Sequence, residues 1–443
     1  MTKRRQLQWR MASPYPCTPF DVGIEFACRV ASVGASLVLA VTAQDARASS
    51  SKMVSAFGEY VPTTNSVTTV PSLALAAQTN SLFNPASYPL TADSLVVTGG
   101  SIVIDTGDGT NRVPSLVANG IMYEGQVVPN QSSNVWLSLF NFGGLAISNG
   151  VSCTVTGNLG LVLGSRGDMT ISSTISLNGA NGWTGTGGRG GIGGSGGDAG
   201  NRVSSYRSSP PDGNHGRGGM IQTDGFGYGG GGRAFAVNGG AFVIVVPAAG
   251  GGYGGMGGCF TNYDPYPSIP PPHPEFRGRD YGDSLIVNLY GGSGGGGGYD
   301  NYGGGGGGGA LELIANDTLT VCSNSTLQVN GGIGGGGTSA SGGGSGGGLI
   351  LAANHLVVAG TLQARGGSGG SSSSGDWFGG GGGGGGRIML CANMVKTNGM
   401  SVSVAGGDPV NTMFSSAGSN GTFSVRGHSD FPYAISGTLL MVE

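Results

Sequence analysis

The densest group of side chains able to make specific contacts is the segment CFTNYDPYPSIPPPHPEFRGRDYGD, Cys259 to Asp283. Tyr263, Tyr266, Phe276 and Tyr281 alternate there with Pro265, Pro267 and Pro270 to Pro272, and Arg277 and Arg279 stand beside them. Prolines stiffen the backbone that carries the rings. Exposed aromatics with neighbouring guanidinium groups suit recognition of a sugar or a protein partner. Trp183, Tyr253, Tyr299, Tyr302, Trp377 and Phe378 interrupt glycine tracts, either as contact residues at loop tips or as anchors that pack the loops. Trp377 is counted with the candidate binding residues.

Bond-breaking chemistry finds less support. Cleavage of a polysaccharide needs several carboxylates, or a base with acidic partners, on one face. Glu312, Asp317 and Lys396 each stand alone in their segment, and His215, His273, His355 and His428 are dispersed. No catalytic residue is assigned. The GxGxxG matches are those expected in tracts so rich in glycine, and none lies between a strand and a helix with an acidic residue about 20 further on. No GK[ST] follows a glycine loop, so neither a dinucleotide nor a phosphate-binding loop, and no cofactor, is expected. GGSGGDAGN, Gly193 to Asn201, is a faint match to a calcium-binding turn and does not recur in register. Cys153, Cys259, Cys322 and Cys391 fit no metal template, and as four thiols they allow three disulfide pairings. Arg166-Gly167-Asp168 spells an integrin-recognition tripeptide in a position where glycine and aspartate are ordinary turn formers.

A repeat must position these residues. ALELIANDTLTVCSNSTLQVNGG from Ala310, GLILAANHLVVAGTLQARGG from Gly348 and GRIMLCANMVKTNGMSVSVAGG from Gly386 align, with Leu311, Leu349 and Ile388 separated by 38 and 39 residues. Leu313, Leu351 and Leu390 correspond, as do Asn316, Asn354 and Asn393. GLVLGSRGDMTISSTISLNGANG from Gly160 matches the same template. Alternating apolar residues at a fixed period predict strands, three short ones per unit. Stacked units make a parallel β-helix or β-solenoid, with the three asparagines as a ladder at one corner. Cys391, aligned with Ile314 and Ala352, falls in an inward-looking slot and is expected to be buried. Between units run long glycine-rich insertions, from 96 glycines in 443 residues. Ordering a glycine costs ~1–2 kcal/mol of backbone entropy. The insertions are therefore either mobile or packed as extended three-residue-per-turn polyglycine II helices.

Charged residues are 10% of the chain and its net charge is −3, which leaves no nucleic-acid footprint. Basic residues up to Arg29, an apolar run from Val30 to Ala43 and Ala46-Arg47-Ala48 read as a signal peptide over 1–48, with translation starting at Met1 or Met11. No later stretch reaches the ~20 apolar residues of a spanning helix. Residues 49–92 read as a linker or irregular cap, and 93–443 as the glycine-rich β-solenoid with its Pro/Tyr-rich insertion at 259–283.

FNFGGLAISNGVSCTVTG (Phe140 to Gly157), MTISSTISLNGANG, GTLQARGG (Gly360 to Gly367) and GGRIMLCANM resemble the glycine-rich secreted or surface β-solenoid proteins of bacteria. The glycine excursions are more distantly similar to polyglycine-packed phage tail-fibre adhesins. The resemblance implies a non-enzymatic exported protein, structural or adhesive, secreted or on the cell surface. Expected partners are a surface glycan or protein, or further copies of the chain. The alternative is a polysaccharide-acting β-helix lyase or hydrolase.

Overall fold

The computed structural model describes residues 83–130, 135–183, 187–194, 227–232, 234–238, 243–259, 277–282, 288–298, 302–336, 340–371, 379–410 and 415–427. All of these fall in one compact unit, Leu73–Glu443. The expected signal peptide lies outside the described residues, as does residues 49–82 of the expected linker.

The chain is nearly all β. Its only helical piece among the described residues is a 3-10 turn, Pro85–Ser87, capped by the Asn84 side chain on the Ala86 amide. The strands run in chain order as β1 (Leu95–Val97), β2 (Ser101–Asp105), β3 (Ser115–Ala118), β4 (Ile121–Glu124), β5 (Gln126–Pro129), β6 (Trp136–Phe142) and β7 (Leu145–Ile147). They continue as β8 (Ser152–Thr156), β9 (Gly160–Ser165), β10 (Met169–Ile171), β11 (Ile175–Ser176), β12 (Phe235–Asn238) and β13 (Val243–Val246). The last are β14 (Ala310–Val321), β15 (Thr326–Gln328), β16 (Gly348–Val358), β17 (Thr361–Gln363), β18 (Arg387–Lys396), β19 (Ser401–Ser403) and β20 (Thr422–Arg426).

Two parallel ladders organise them. One runs β1-β7-β10-β14-β16-β18-β20, with β9 also on β14; the other runs β11-β15-β17-β19. Leu161, Leu311, Leu349 and Ile388 are successive partners, and so are Ile175, Leu327, Leu362 and Val402. The first six residues of β14, β16 and β18 are buried on both faces, which explains their continuous apolar runs. One face joins the main interior with Leu313, Leu351 and Leu390. The other forms a second layer with Val162, Ile314, Ile350, Ala352, Met389 and Cys391. Cys391 is thus buried, but on the face opposite the main interior, because it follows the inward Leu390 by one residue.

The expected corner at Asn316, Asn354 and Asn393 is not a break in the strands. Where two short strands and a turn were anticipated, each unit has one strand of ten to twelve residues, since the parallel pairing carries on past the asparagine. His355, expected in a turn, pairs with Thr318 and Met394. β14 has one extra residue there, and its register to β16 shifts between Ala315 and Thr318. At the opposite end of the ladder an antiparallel meander of β2, β3 and β4 closes the core with Ile102, Ile104, Leu116 and Ala118. Its β3–β4 turn is Asn119-Gly120, both at positive φ (54° and 75°), the conformation a two-residue hairpin requires.

The described parts of the glycine excursions are packed, not free. In 379–386 the amides of Gly380, Gly383 and Gly386 donate to the carbonyls of Gly370, Gly367 and Ala364. Gly381 and Gly384 donate to Ala248 and Gly251, and Gly382 and Gly385 to Ser416 and Ser419, all at 2.7 to 3.2 Å. Successive residues face three different neighbours, and the pattern repeats every third residue, the period of an extended three-residue turn. Side chains are excluded: a Cβ on Gly344 would collide with the Gly306 carbonyl, and one on Gly383 with the Gly344 carbonyl. The glycines also bond directly to the ladders, with Gly309 donating to Leu177 and Gly347 to Val329.

Candidate functional site

The described residues that flank the Pro/Tyr-rich insertion meet at one point of the glycine lattice. Cys259 donates its amide to Ser416 Oγ at 2.9 Å, and the Ser416 amide returns to the Cys259 carbonyl at 2.8 Å. The other end is fixed beside it: Arg277 Nε donates to Cys259 Sγ at 2.9 Å and Gly257 donates to the Gly278 carbonyl at 2.8 Å. Tyr263, Tyr266 and Phe276, named as binding residues, lie outside the described residues, and so does Trp377. Arg279 is exposed and Arg277 is half-buried at the base.

Tyr281 differs from the expectation of a displayed ring. It packs with its ring centroid 4.8 Å from that of Tyr253 and 5.3 Å from that of Tyr228, while Tyr290 completes the group at 6.1 Å. Its hydroxyl donates to the Gly291 carbonyl at 2.6 Å and receives a hydrogen bond from Ser293 Oγ at 3.2 Å. Burial pushes its pKa up, so the hydroxyl stays protonated as a donor. Tyr228 keeps 47% of its surface, and Tyr253 keeps almost none.

Beneath the rings lies Arg387, 5% exposed. Its Nη2 donates to the Tyr281 carbonyl at 2.9 Å and to the Tyr253 carbonyl at 3.4 Å, its Nη1 reaches Thr422 Oγ1 at 3.4 Å, and its Cζ lies 5.4 Å from the Tyr253 ring centre. Carbonyl dipoles and a ring face thus take the place of a carboxylate. Nothing reaches its Nε. Arg387 clips the Tyr253 and Tyr281 segments to the start of β18. Sequence reasoning passed over it and over Tyr228 and Tyr290, though signals existed. Arg387 stands where the paired strand has Gly348, and Tyr228, Tyr253, Tyr281 and Tyr290 each precede a glycine.

A second feature is the outer row of the lattice. Gly303 donates to Trp183, Gly335 to Gly303, Ser341 to Gly335, Gly370 to Ser341 and Gly380 to Gly370, at 2.8 to 3.2 Å. Described residues beside 184–186, 299–301, 337–339 and 372–378 therefore stand in one hydrogen-bonded row. Trp183, at its start, is 70% exposed.

The remaining candidates have structural partners. Asn393 Nδ2 donates to Asn354 Oδ1 at 2.8 Å, while Asn316 sits at the register shift with its Oδ1 enclosed. Arg166 donates to the Pro85 and Tyr88 carbonyls, and Asp168 Oδ1 accepts from the Thr318 amide at 3.0 Å, so both charged ends of the tripeptide are engaged within the protein. Glu312 is 1% exposed, between Val162 and Ile350 in the second apolar layer, with the Phe83 amide 3.4 Å from its Oε1. Desolvation raises its pKa to about 8; Tyr88 is raised to about 12, first by its own burial and then by the repulsion of the Glu312 carboxylate. Among the described residues no two cysteines are joined in a disulfide, and no three His, Cys, Asp or Glu side chains gather where a metal ion would bind.

No family model, no curated protein and no solved structure matches the chain.

Proposed function

We propose that the protein is an exported structural and adhesive protein that binds a glycan or a protein through its loops. In this reading the two ladders form a β-solenoid, and the glycine excursions form a polyglycine II lattice braced against it. The observation that supports it best is the three-residue hydrogen-bond period, which spends the backbone of a glycine-rich chain on a stiff base with few side chains. Residues that flank four further segments stand in one row of that base, and Cys259 and Arg277, which flank the aromatic insertion, are held together beside Ser416. Such a base holds recognition loops at fixed spacing and limits their ordering cost on binding. The resemblance to secreted glycine-rich solenoids agrees with that role.

The test is a glycan array, and attachment to a bacterial or host surface, with purified protein in which 261–276 is replaced by a short Gly/Ser linker. At least tenfold weaker attachment with an unchanged β-type circular dichroism spectrum is expected. Unchanged attachment would exclude the insertion as the binding element. Release of reducing or unsaturated sugar ends from a polysaccharide by the unaltered protein would favour the lyase or hydrolase reading.

A further inference from the structure

We infer that the outer edge of β20 is an interface at which a second copy of this chain adds antiparallel to the ladder. The apolar interior is covered at the β1 end of the main ladder, where Leu95 and Val97 are 1% and 0% exposed, and the ladder's other end is β20, whose outer edge pairs with no described strand. The apolar interior is cut open there. Ile388 and Leu390 are fully buried, whereas their partners Phe423 and Val425, on the same face one strand further, are 40% and 51% exposed. In the companion ladder Val402 is only partly buried where its partner Leu362 is wholly so. An unpaired strand edge beside an open apolar interior is a template for another strand, and β20 carries neither proline nor a bulge to blunt it.

The backbone selects the register. Thr422 donates its amide to Gly386, toward β18. Strand alternation then turns the amide and carbonyl of Thr422, Ser424 and Arg426 toward β18, and those of Phe423 and Val425 toward the free edge. An antiparallel copy centred on Ser424 brings Phe423 opposite Val425 of the other copy, so that each such pair exchanges both free hydrogen bonds. Thr422 then faces Arg426, so the cation meets no like charge. Phe423 and Val425 of the two copies share one face, and the apolar interior runs on across the two-fold axis. Ser424 faces itself in a non-hydrogen-bonded pair, with Cα atoms about 4.5 Å apart. The inference does not depend on the adhesive reading.

Two substitutions in the full chain test it. Val425→Lys puts a charge on the edge at a residue whose amide and carbonyl face away from β18, so the backbone bonds between β20 and β18 stay in place, and sedimentation velocity at tens of micromolar should show a wild-type dimer and at least tenfold weaker association of the variant, with the same circular dichroism spectrum. Ser424→Cys should give a disulfide-linked dimer on mild oxidation, because its Cα separation suits a disulfide; the wild type, and Ser152→Cys on exposed β8, should not. A monomeric wild type, a dimer unaffected by Val425→Lys, or a Ser424→Cys protein that stays uncross-linked would each overturn the inference. The first would mean that the edge is covered otherwise, by residues 428–443 or by a different protein.

Discussion

Glu312 carries the strongest tension between a side chain and its surroundings. Val162 and Ile350 flank it in the ladder, and a single amide at 3.4 Å is its recorded hydrogen-bond partner. Its pKa stands at about 8 in the fold against an ordinary 4.5. The fold therefore favours the protonated acid: its contribution to stability is intact below pH 4.5, and is lost as pH rises toward 8 because the unfolded chain ionises first. At ~1.4 kcal/mol per pH unit the loss amounts to several kcal/mol. Urea midpoints of wild type and Glu312→Gln should converge at pH 4 and separate at pH 9, with the variant the more stable. Parallel curves over that range would show that the carboxyl is not buried as described.

At the scale of elements, the glycine excursions and the aromatic insertion behave differently under substitution. Gly344→Ala would place a methyl on the Gly306 carbonyl, where both partners are backbone in a bonded lattice, whereas the space around Gly99 is empty within 4 Å. Gly344→Ala should cost about 2 kcal/mol or more and Gly99→Ala within about 0.5 kcal/mol, read as shifts in denaturation midpoint. The insertion obeys a different rule, for a loop whose ends stay together tolerates shortening: a doubling of length is worth only ~0.6 kcal/mol. Replacement of 261–276 should leave the midpoint nearly unchanged. Extending the replacement to Tyr281 should lower it clearly, because it removes the Gly278 carbonyl that Gly257 bonds and the carbonyl that Arg387 bonds.

Over the whole described unit, lattice and ladders share hydrogen bonds. Gly309 donates to Leu177, Gly347 to Val329 and Gly386 to Ala364, so the glycines lose their partners when the strands open. One cooperative transition follows. Hydrogen exchange should protect the amides of 380–386 to the same extent as those of β16 and β18. Loss of protection in the glycines at a denaturant concentration where the strands stay protected would show two independent layers.

The amino-acid pattern alone carries the strand class, the partners within the repeats and the face of each that turns to the main interior. Leu311, Leu349 and Ile388 can be matched by eye because a parallel ladder stacks equivalent residues, and alternation marks the inward face. It also located the insertion at Cys259. It could not decide whether glycine tracts pack, since a residue without a side chain leaves no pattern and its partners lie up to more than a hundred residues away, as Gly384 does from Gly251. Nor could it place Tyr281. Whether a ring is displayed or enclosed depends on Tyr228, Tyr253 and Arg387, which only the lattice brings together. The burial of Glu312 belongs to the same class: an acid in an alternating strand reads as solvent-facing until a second apolar layer covers that side. Local pattern is written in neighbours along the chain, while close approach of backbones is a property of segments that meet only in the folded molecule.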